Sequence, residues 1–314
     1  MHTFKAMSTT FHTIGLSSLS ERKAESWFDF IERNLSRFLP SSELSSLNRS
    51  EGRPFLASAL LFQAVSAAEK QYRETDGMFN PYLGKALIAH GYSDSIEHVL
   101  AGTGKPALEK EDARTFVMPD APVVLDKRMM SIRLHPDVSL DLGGIAKGWS
   151  AEQLAAMLRR EGIAAGAIDA GGDMVLWGMP KQGWEIGIAD PLDDARNTAA
   201  LKLARPAGIA TSSIMRRRWG SRENSYHHLI DPRTMRPAET DLLQVTVLAP
   251  TLTEAEVYAK CLLILGSKAG IPWLKARKPE LGFIAVARDG RLLGGDSLRD
   301  YGELAGGGAH VAAF

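Results

Sequence analysis

The sequence feature that most restricts the possible folds of this chain is a glycine pair between a predicted strand and a predicted helix. Gly143 and Gly144 lie in the segment DLGGIAKG, from Asp141 to Gly148. Glycines let a backbone approach a ligand closely, and the unpaired amides at a helix start favour a phosphate. The spacing matches neither a P-loop nor a dinucleotide-binding fingerprint, which argues against both standard nucleotide folds. Ordinary turn chemistry is the alternative explanation of the pair.

Hydrophobic periodicity predicts helices and short strands that do not alternate regularly. The predicted helices span 20–38, 58–73, 146–160 and 254–265, the last two ending at Gly162 and Gly266. The predicted strands span 123–125, 131–134, 138–141, 167–169, 174–177, 185–189 and 243–249. This order favours an α+β fold with mixed or antiparallel sheets. Because the sequence shows no repeat, linker or long charge block, we expect a single domain over residues 1–314.

Charge and cysteine content exclude several classes of protein. Lys+Arg and Asp+Glu both number 37, so no bulk field favours nucleic acid or an anionic membrane. The one cysteine, Cys261, excludes a disulfide framework and a cysteine-rich zinc site, and its apolar neighbours predict a core position. No window approaches the roughly eighteen apolar residues of a membrane span, and no signal peptide is recognisable. We therefore expect a cytoplasmic protein with no nucleic-acid or membrane partner.

Two further segments combine groups that suit phosphate oxygens. Gly171 and Gly172 precede Asp173 between two strand-like runs, where a tight hairpin is the alternative explanation. The segment ATSS, at 210–213, places three hydroxyls, beginning with Thr211, before the arginines at 216–218. An arginine run on a strand is also typical of a solvated face.

A fourth segment, at 226–237, reads YHHLIDPRTMRP. His228 and Asp231 could act as acid or base there, although Asp-Pro followed by Arg-Thr is also an ordinary turn sequence. We expect the adjacent His227 to face solvent. A buried, merely hydrogen-bonded histidine is the alternative for His228.

In their order along the chain and in their residues, these segments resemble the ApbE family of FAD:protein FMN transferases. The resemblance covers nearly the whole chain and is found in Met7–Thr9, SRFLPSSELSSLN (36–48), DGMFNPYLGKAL (76–87), DLGGIAKGWSAE, AGGD, ATSS, HLIDPRT and the helix with Glu256 and Lys260. It implies a T-fold-like α+β domain, with flanking helices, that holds FAD in an elongated cleft. The implied reaction moves FMN from FAD to a threonine or serine hydroxyl of an acceptor protein and releases AMP. Some members instead hydrolyse FAD to FMN and AMP.

The resemblance also assigns functions to individual residues. Those implied to bind FAD are Met7, Phe79, Asn80, Pro81, Lys147, Gly171, Gly172, Asp173, Thr211 and His228. Asn80 stands where relatives commonly have aspartate. His228 matches the histidine expected near the reacting phosphate and is our candidate catalytic or positioning residue.

A divalent metal, usually magnesium, is also implied, bridging the diphosphate to the protein. Its implied ligand positions are the Gly144 carbonyl and two side chains four residues apart, here Glu256 and Lys260. A charged lysine has no lone pair and cannot ligate a hard cation, so magnesium is doubtful and Lys260 could replace it with an ammonium. Alternatively, Glu256 pairs with Lys260, or closes the helix start in the capping spacing Thr253-x-x-Glu256.

A second departure from the family lies after ATSS, where Ile214 and Met215 replace a polar residue and a tyrosine. A changed acceptor or a lost transferase activity would both fit. The leading hypothesis is thus a flavin transferase or FAD pyrophosphatase that uses His228. The alternatives are a catalytically degraded relative that binds FAD or another nucleotide, and an interaction protein that kept only the scaffold.

Overall fold

A large mixed sheet with helices on one face organises the chain. The computed structural model describes residues 1–101, 118–193, 195–216, 218–220, 225–304 and 311–313. The helices are α1 Ser18–Leu35, α2 Glu43–Asn48, α3 Ala59–Glu74, α4 Gly84–Ala89, α5 Ile96–Leu100, α6 Ala146–Arg160 and α7 Leu252–Arg277, with a 3-10 turn at Asp296–Asp300.

The strands lie in the first third of the chain, between α5 and α6 and, most densely, after α6. They are β1 His2–Ala6, β2 Thr9–Ile14, β3 Phe55–Leu56, β4 Val123–Asp126, β5 Ser131–Leu134, β6 Gly166–Ala170, β7 Met174–Trp177, β8 Trp184–Ala189, β9 Asn197–Leu203, β10 Ala207–Ser213, β11 Arg218–Gly220, β12 Ser225–His227, β13 Ile230–Asp231, β14 Arg236–Pro237, β15 Leu242–Ala249, β16 Gly282–Ala287, β17 Leu292–Gly294, β18 Gly302–Leu304 and β19 Val311–Ala313.

Within the described ranges, nine strands form the large sheet in the order β1-β2-β6-β7-β10-β15-β16-β17-β19. Neighbouring strands are antiparallel except β17 and β19, which are parallel. Smaller sheets are β18-β9-β8 and β3-β5-β4. The α+β prediction with mixed and antiparallel sheets is therefore confirmed.

The centre of the large sheet is buried on both faces. All eight residues of β15 are buried. Because successive side chains of a strand point to opposite faces, Val247 packs in the main core with residues of α6 and α7, while Leu248 packs with residues of β8 and β9. The helices thus cover one face and the β18-β9-β8 sheet covers the other.

Helix α7 differs from its predicted start and end. The side chain of its N-cap, Thr251, accepts a hydrogen bond from Glu254 N at 3.2 Å and its hydroxyl donates to Glu254 Oε2 at 3.1 Å. The Thr253–Glu256 capping prediction is therefore wrong by two residues. At Gly266 the backbone has φ +74°, and the helix resumes where Asp241 Oδ1 accepts from Ser267 N at 2.8 Å.

The segment before the first glycine pair is extended but is not the predicted strand. Ser139 alone forms a bridge, with Leu83, and Asp141 N donates to Pro81 O at 2.8 Å. Its partner is thus the short segment that enters α4, so no ladder can form. This pairing brings the stretch around Phe79 beside the glycine pair.

Candidate functional site

Two cavities open next to each other and share part of their lining. The first measures about 150 Å³ and the second about 190 Å³. Gly143, Lys147, His228 and Lys260 line both. Because the same four residues border both cavities, the cavities are adjacent parts of one cleft. We call the point at which these four residues meet the junction.

The first cavity is mainly apolar. Its apolar lining residues are Leu35, Phe38, Met78, Phe79, Leu83, Leu87, Tyr92, Leu142, Leu229, Ile230 and Ile264, and Met7 and Asn80 join them. Met7 and Ser8 form the two-residue turn between β1 and β2 with φ of +49° and +56°, and Met7 N donates to Glu32 Oε2 at 2.9 Å. Such a lining suits a flat aromatic ring.

The second cavity is more polar than the first and lies over the turn between β6 and β7. Gly171 and Gly172 form that turn with φ of +77° and +96°, and Asp169 Oδ1 accepts from Gly172 N at 2.6 Å. Burial raises the pKa of the Asp169 carboxyl, while the Gly172 amide opposes that shift. Gly171, Gly172, Asp173, Thr211, Ser212, Ser213, Arg216 and Gln244 line the cavity. The hairpin explanation and the ligand-loop explanation are therefore compatible.

Lys147 is held between two carboxylates at the junction. From the first turn of α6 its Nζ donates to Asp173 Oδ2 and lies 3.4 Å from Glu256 Oε1. Asp173 also accepts from Thr211 N at 3.0 Å, and Glu256 Oε2 accepts from Gly148 N at 2.8 Å. These three charged side chains expose only 12%, 9% and 7% of their surface, so they form a buried ion network.

Lys260 reaches the junction from α7 and contacts the glycine pair. Its Nζ donates to Gly144 O at 3.0 Å and lies 5.8 Å from the centre of the Phe79 ring. Burial lowers the pKa of the Lys260 amine, the Glu256 carboxylate opposes this shift, and Lys147 adds to it. A Cβ at position 144 would overlap the Lys260 ammonium, so any larger residue there would push the end of the lysine side chain aside.

The three positions implied to ligate magnesium do not fit a divalent cation. The Gly144 carbonyl faces an ammonium, Glu256 is engaged by Lys147 and an amide, and Lys260 is itself a cation. Among the residues that the structure describes, no group of three or more His, Cys, Asp or Glu side chains could hold a metal ion. Glu256 also pairs with Lys147 rather than with its helix neighbour Lys260.

His228 is half-buried and follows β12, where it lines both cavities. The expectation that His227 faces solvent is wrong. His227 exposes 8% of its surface, its Nδ1 accepts from Leu229 N at 3.3 Å, and its Nε2 donates to Ala238 O at 3.2 Å. The alternation of the extended backbone therefore turns His227 inward and leaves His228 at the cleft.

Asp231 builds a turn and lies outside both cavities. Its Oδ1 accepts from Arg233 N at 2.9 Å, and its Oδ2 accepts from Arg233 Nη2 at 2.6 Å. These bonds close the hairpin between β13 and β14, in agreement with the turn explanation for Asp231.

Other predicted residues differ in how they relate to the cleft. Pro81 lines neither described cavity, and Asn80 Oδ1 accepts from Tyr82 N at 2.9 Å. Ile214 is buried, and Arg216 reaches the second cavity. Arg217 lies outside the described residues.

Sequence reasoning missed the ion pair that shapes the glycine loop. Arg37 donates from Nε to Asp141 Oδ2 and from Nη2 to Tyr92 O at 2.7 Å, while Asp141 Oδ1 accepts from Gly143 N at 2.7 Å. Both charged side chains are largely buried. The available signal was the position of an arginine and an aspartate inside two of the segments already singled out.

No helix in the described ranges has both the length and the apolar character needed to cross a membrane. Cys261 is fully buried, as expected, and burial raises its pKa to about 12.

Comparisons with known proteins give one consistent result. Residues 3–285 match the model of the ApbE family. The chain is 28% identical over 252 residues to the FAD:protein FMN transferase of Salmonella typhimurium, covering 79% of this chain and 71% of that protein. It is 27% identical over 267 residues to the corresponding protein of Klebsiella pneumoniae, covering 82% and 76%.

Solved structures share the fold. The ApbE protein of Thermotoga maritima superposes with a TM-score of 0.83 at 21% identity, over 96% of this chain and 98% of that one. The flavin transferase ApbE of Vibrio cholerae superposes with a TM-score of 0.77 at 23% identity, over 96% and 98%. At this identity the likeness concerns the fold alone.

Proposed function

Because the chain belongs to the ApbE family, we propose that it is an FAD:protein FMN transferase, which moves FMN from FAD to a threonine or serine hydroxyl of an acceptor protein and releases AMP. One observation in the structure supports this function most: a mainly apolar cavity and a more polar one meet at a junction that contains two lysines and a histidine. FAD has the matching plan, two ring systems joined by a diphosphate.

Each part of the cleft has a proposed partner on the ligand. The first cavity takes one ring system of FAD against Phe79 and Tyr92, since both rings line it. The diphosphate lies at the junction, where Lys147 and Lys260 present positive charge. The second cavity, lined by Thr211, Ser212 and the turn at Gly171 and Gly172, takes the remainder of the ligand and the incoming hydroxyl.

The proposed reaction is a phosphoryl transfer. The hydroxyl oxygen of the acceptor attacks the phosphorus on the FMN side, the bond from that phosphorus to the bridging oxygen breaks, and AMP leaves with this oxygen and its electron pair. His228 takes the hydroxyl proton, because it lies at the junction and can reach groups in either cavity. The lysines offset charge on the phosphate oxygens. With water as the nucleophile, the same steps yield FMN and AMP.

No step of this reaction is assigned to magnesium, because the residues at the implied metal positions do not fit a divalent cation. The partner that the reaction requires is a flavin-acceptor protein. A cytoplasmic location without nucleic-acid or membrane partners stays a prediction from the sequence.

A second candidate function is favoured by the same misfit: a relative that binds FAD as a carrier without cleaving it. The two functions differ in one product. Only the transferase or pyrophosphatase releases AMP.

The test is incubation of the purified protein with FAD, with and without a protein extract as a source of acceptor, followed by chromatography of the nucleotides. We expect AMP to form, and AMP in excess of free FMN identifies transfer rather than hydrolysis. Saturable FAD binding without AMP selects the carrier function. No FAD binding up to about 100 µM, equivalent to about 5.5 kcal/mol, would contradict both.

A further inference from the structure

We propose that Lys260 supplies from within the chain the positive charge that holds the diphosphate of FAD, so that this protein binds FAD without a divalent metal. The inference rests on the proposed function for the identity of the ligand. It concerns one side chain, and its consequences can be measured by binding alone.

The Lys260 ammonium lies where the diphosphate of FAD is proposed to bind. Its Nζ lies 3.0 Å from Gly144 O, at a point that borders both cavities. An ammonium has three donors, and the Gly144 carbonyl uses one of them. A diphosphate that crosses from one cavity to the other must pass this group.

The fit between Lys260 and the glycine pair carries the second step. An added Cβ at Gly144 would overlap the ammonium and would lie 3.4 Å from Phe79 Cε2. The lysine thus lies against the backbone in space that a side chain at residue 144 would fill. Gly144 and Lys260 form a matched pair at the diphosphate position.

The charge balance at the junction carries the third step. In the described part of the chain, Asp173 and Glu256 both pair with Lys147, whereas the polar contact of Lys260 is with a neutral carbonyl. A half-buried cation without a direct counter-ion is unfavourable until an anion joins it.

The coordination chemistry of magnesium also argues against a metal ion at this position. Magnesium requires near-octahedral oxygen ligands, and an ammonium beside the Gly144 carbonyl repels it. The Gly144 carbonyl already accepts from that ammonium. The Lys260 ammonium and a magnesium ion would therefore compete for the same position beside the Gly144 carbonyl, and in this protein the ammonium occupies it.

Fluorescence titration of FAD tests the proposal, with EDTA or with magnesium in the buffer. We expect the wild-type Kd to agree within about twofold between the two buffers. Lys260→Met keeps the length of the side chain but removes its charge, and should weaken FAD binding by about 10- to 100-fold. Riboflavin, which has no diphosphate, should bind both proteins equally. Lys268→Met, at an exposed position of the same helix, is the matched control and should not change the Kd for FAD.

Three results would overturn the proposal: wild-type binding of FAD that requires magnesium, an unchanged Kd in Lys260→Met, or an equal loss of FAD and riboflavin binding. If Lys260→Met does not fold, Gly144→Ala serves instead, because its methyl group displaces the ammonium.

If the wild-type protein binds no FAD, the proposed function fails, and calorimetry with inorganic pyrophosphate then decides the inference separately. Pyrophosphate binding in EDTA that Lys260→Met abolishes supports it. Absence of pyrophosphate binding overturns it.

Discussion

Lys147 and Lys260 border the same junction from two different helices, and they differ in what compensates their charge. Lys147 lies in the first turn of α6 between the carboxylates of Asp173 and Glu256. Lys260 lies on α7 and contacts a backbone carbonyl. The difference indicates that the Lys147 charge stabilises the structure of the cleft, while the Lys260 charge is available to a ligand.

Removal of the Lys147 charge should have the largest effect on stability. Lys147→Met leaves two buried carboxylates without their cation, and breaking a buried ion pair in this way costs about 3–5 kcal/mol. Lys260→Met loses one hydrogen bond to a neutral acceptor and should cost about 1 kcal/mol. Urea denaturation of the two variants measures both values. Equal losses would mean that the two lysines are not used differently.

The two glycines of the turn between β6 and β7 offer a second comparison. Gly171 has φ +77°, and an added Cβ would collide with the Thr9 side chain, so Gly171→Ala should cost about 1–3 kcal/mol of stability. Gly172 has φ +96° but open space around it, which makes Gly172→Ala the matched control with a smaller loss. Thermal denaturation distinguishes them. A Gly171→Ala variant as stable as the wild type would show that this turn is not held as described.

A change of ligand chemistry at position 260 should create a metal dependence that we do not expect in the wild type. Lys260→Asp places a second carboxylate four residues after Glu256 on the same helix face, opposite the Gly144 carbonyl. Oxygen ligands suit magnesium, so magnesium should then tighten FAD binding by about tenfold, or about 1.4 kcal/mol. The titration is repeated with EDTA. Lack of any magnesium effect in this variant would show that the junction cannot hold a metal even with oxygen ligands.

The smallest effect is expected at Asp169, which lacks the lysine that compensates Asp173. Burial raises the pKa of Asp169 above the value of 3.8 for a free side chain, so the folded state binds its proton more tightly than the unfolded state does. Stability therefore falls as pH rises from about 4 through the raised pKa and is level above it. Asp169→Asn keeps an acceptor for Gly172 N and removes the charge, so its stability relative to wild type should be higher at about pH 7 than at about pH 4. Denaturation at both pH values measures this difference, and a constant difference would contradict the assignment.

The sequence predicted the elements with strong local signals. Helix α6 lies at its predicted bounds, and Gly162 follows its end with φ +91°. The β6–β7 hairpin turns at Gly171 and Gly172, as the hairpin explanation of this glycine pair predicted. Strands β1 and β2 were missed, because their exposed and half-buried positions give polar residues that blur the alternation.

The contacts of the site were harder to predict, because they join distant parts of the chain. Spacing along one helix suggested that Glu256 pairs with Lys260 or closes the helix start. In the fold, Glu256 instead accepts from Gly148 N and pairs with Lys147, more than a hundred residues earlier. The pair of Arg37 and Asp141 is likewise distant in sequence. Types of residues at the cleft could be read from local motifs, whereas their partners depend on the tertiary structure.

The most direct test of the account is the cleavage of FAD by wild-type protein and by His228→Ala. We expect the wild type to release AMP, and His228→Ala to lose this activity while its Kd for FAD stays within about tenfold, because a proton acceptor acts mainly in the transition state. His135→Ala, outside both cavities, is the matched control and should cleave like the wild type. Unchanged AMP release by His228→Ala, or no AMP from wild-type protein that binds FAD, would contradict the account.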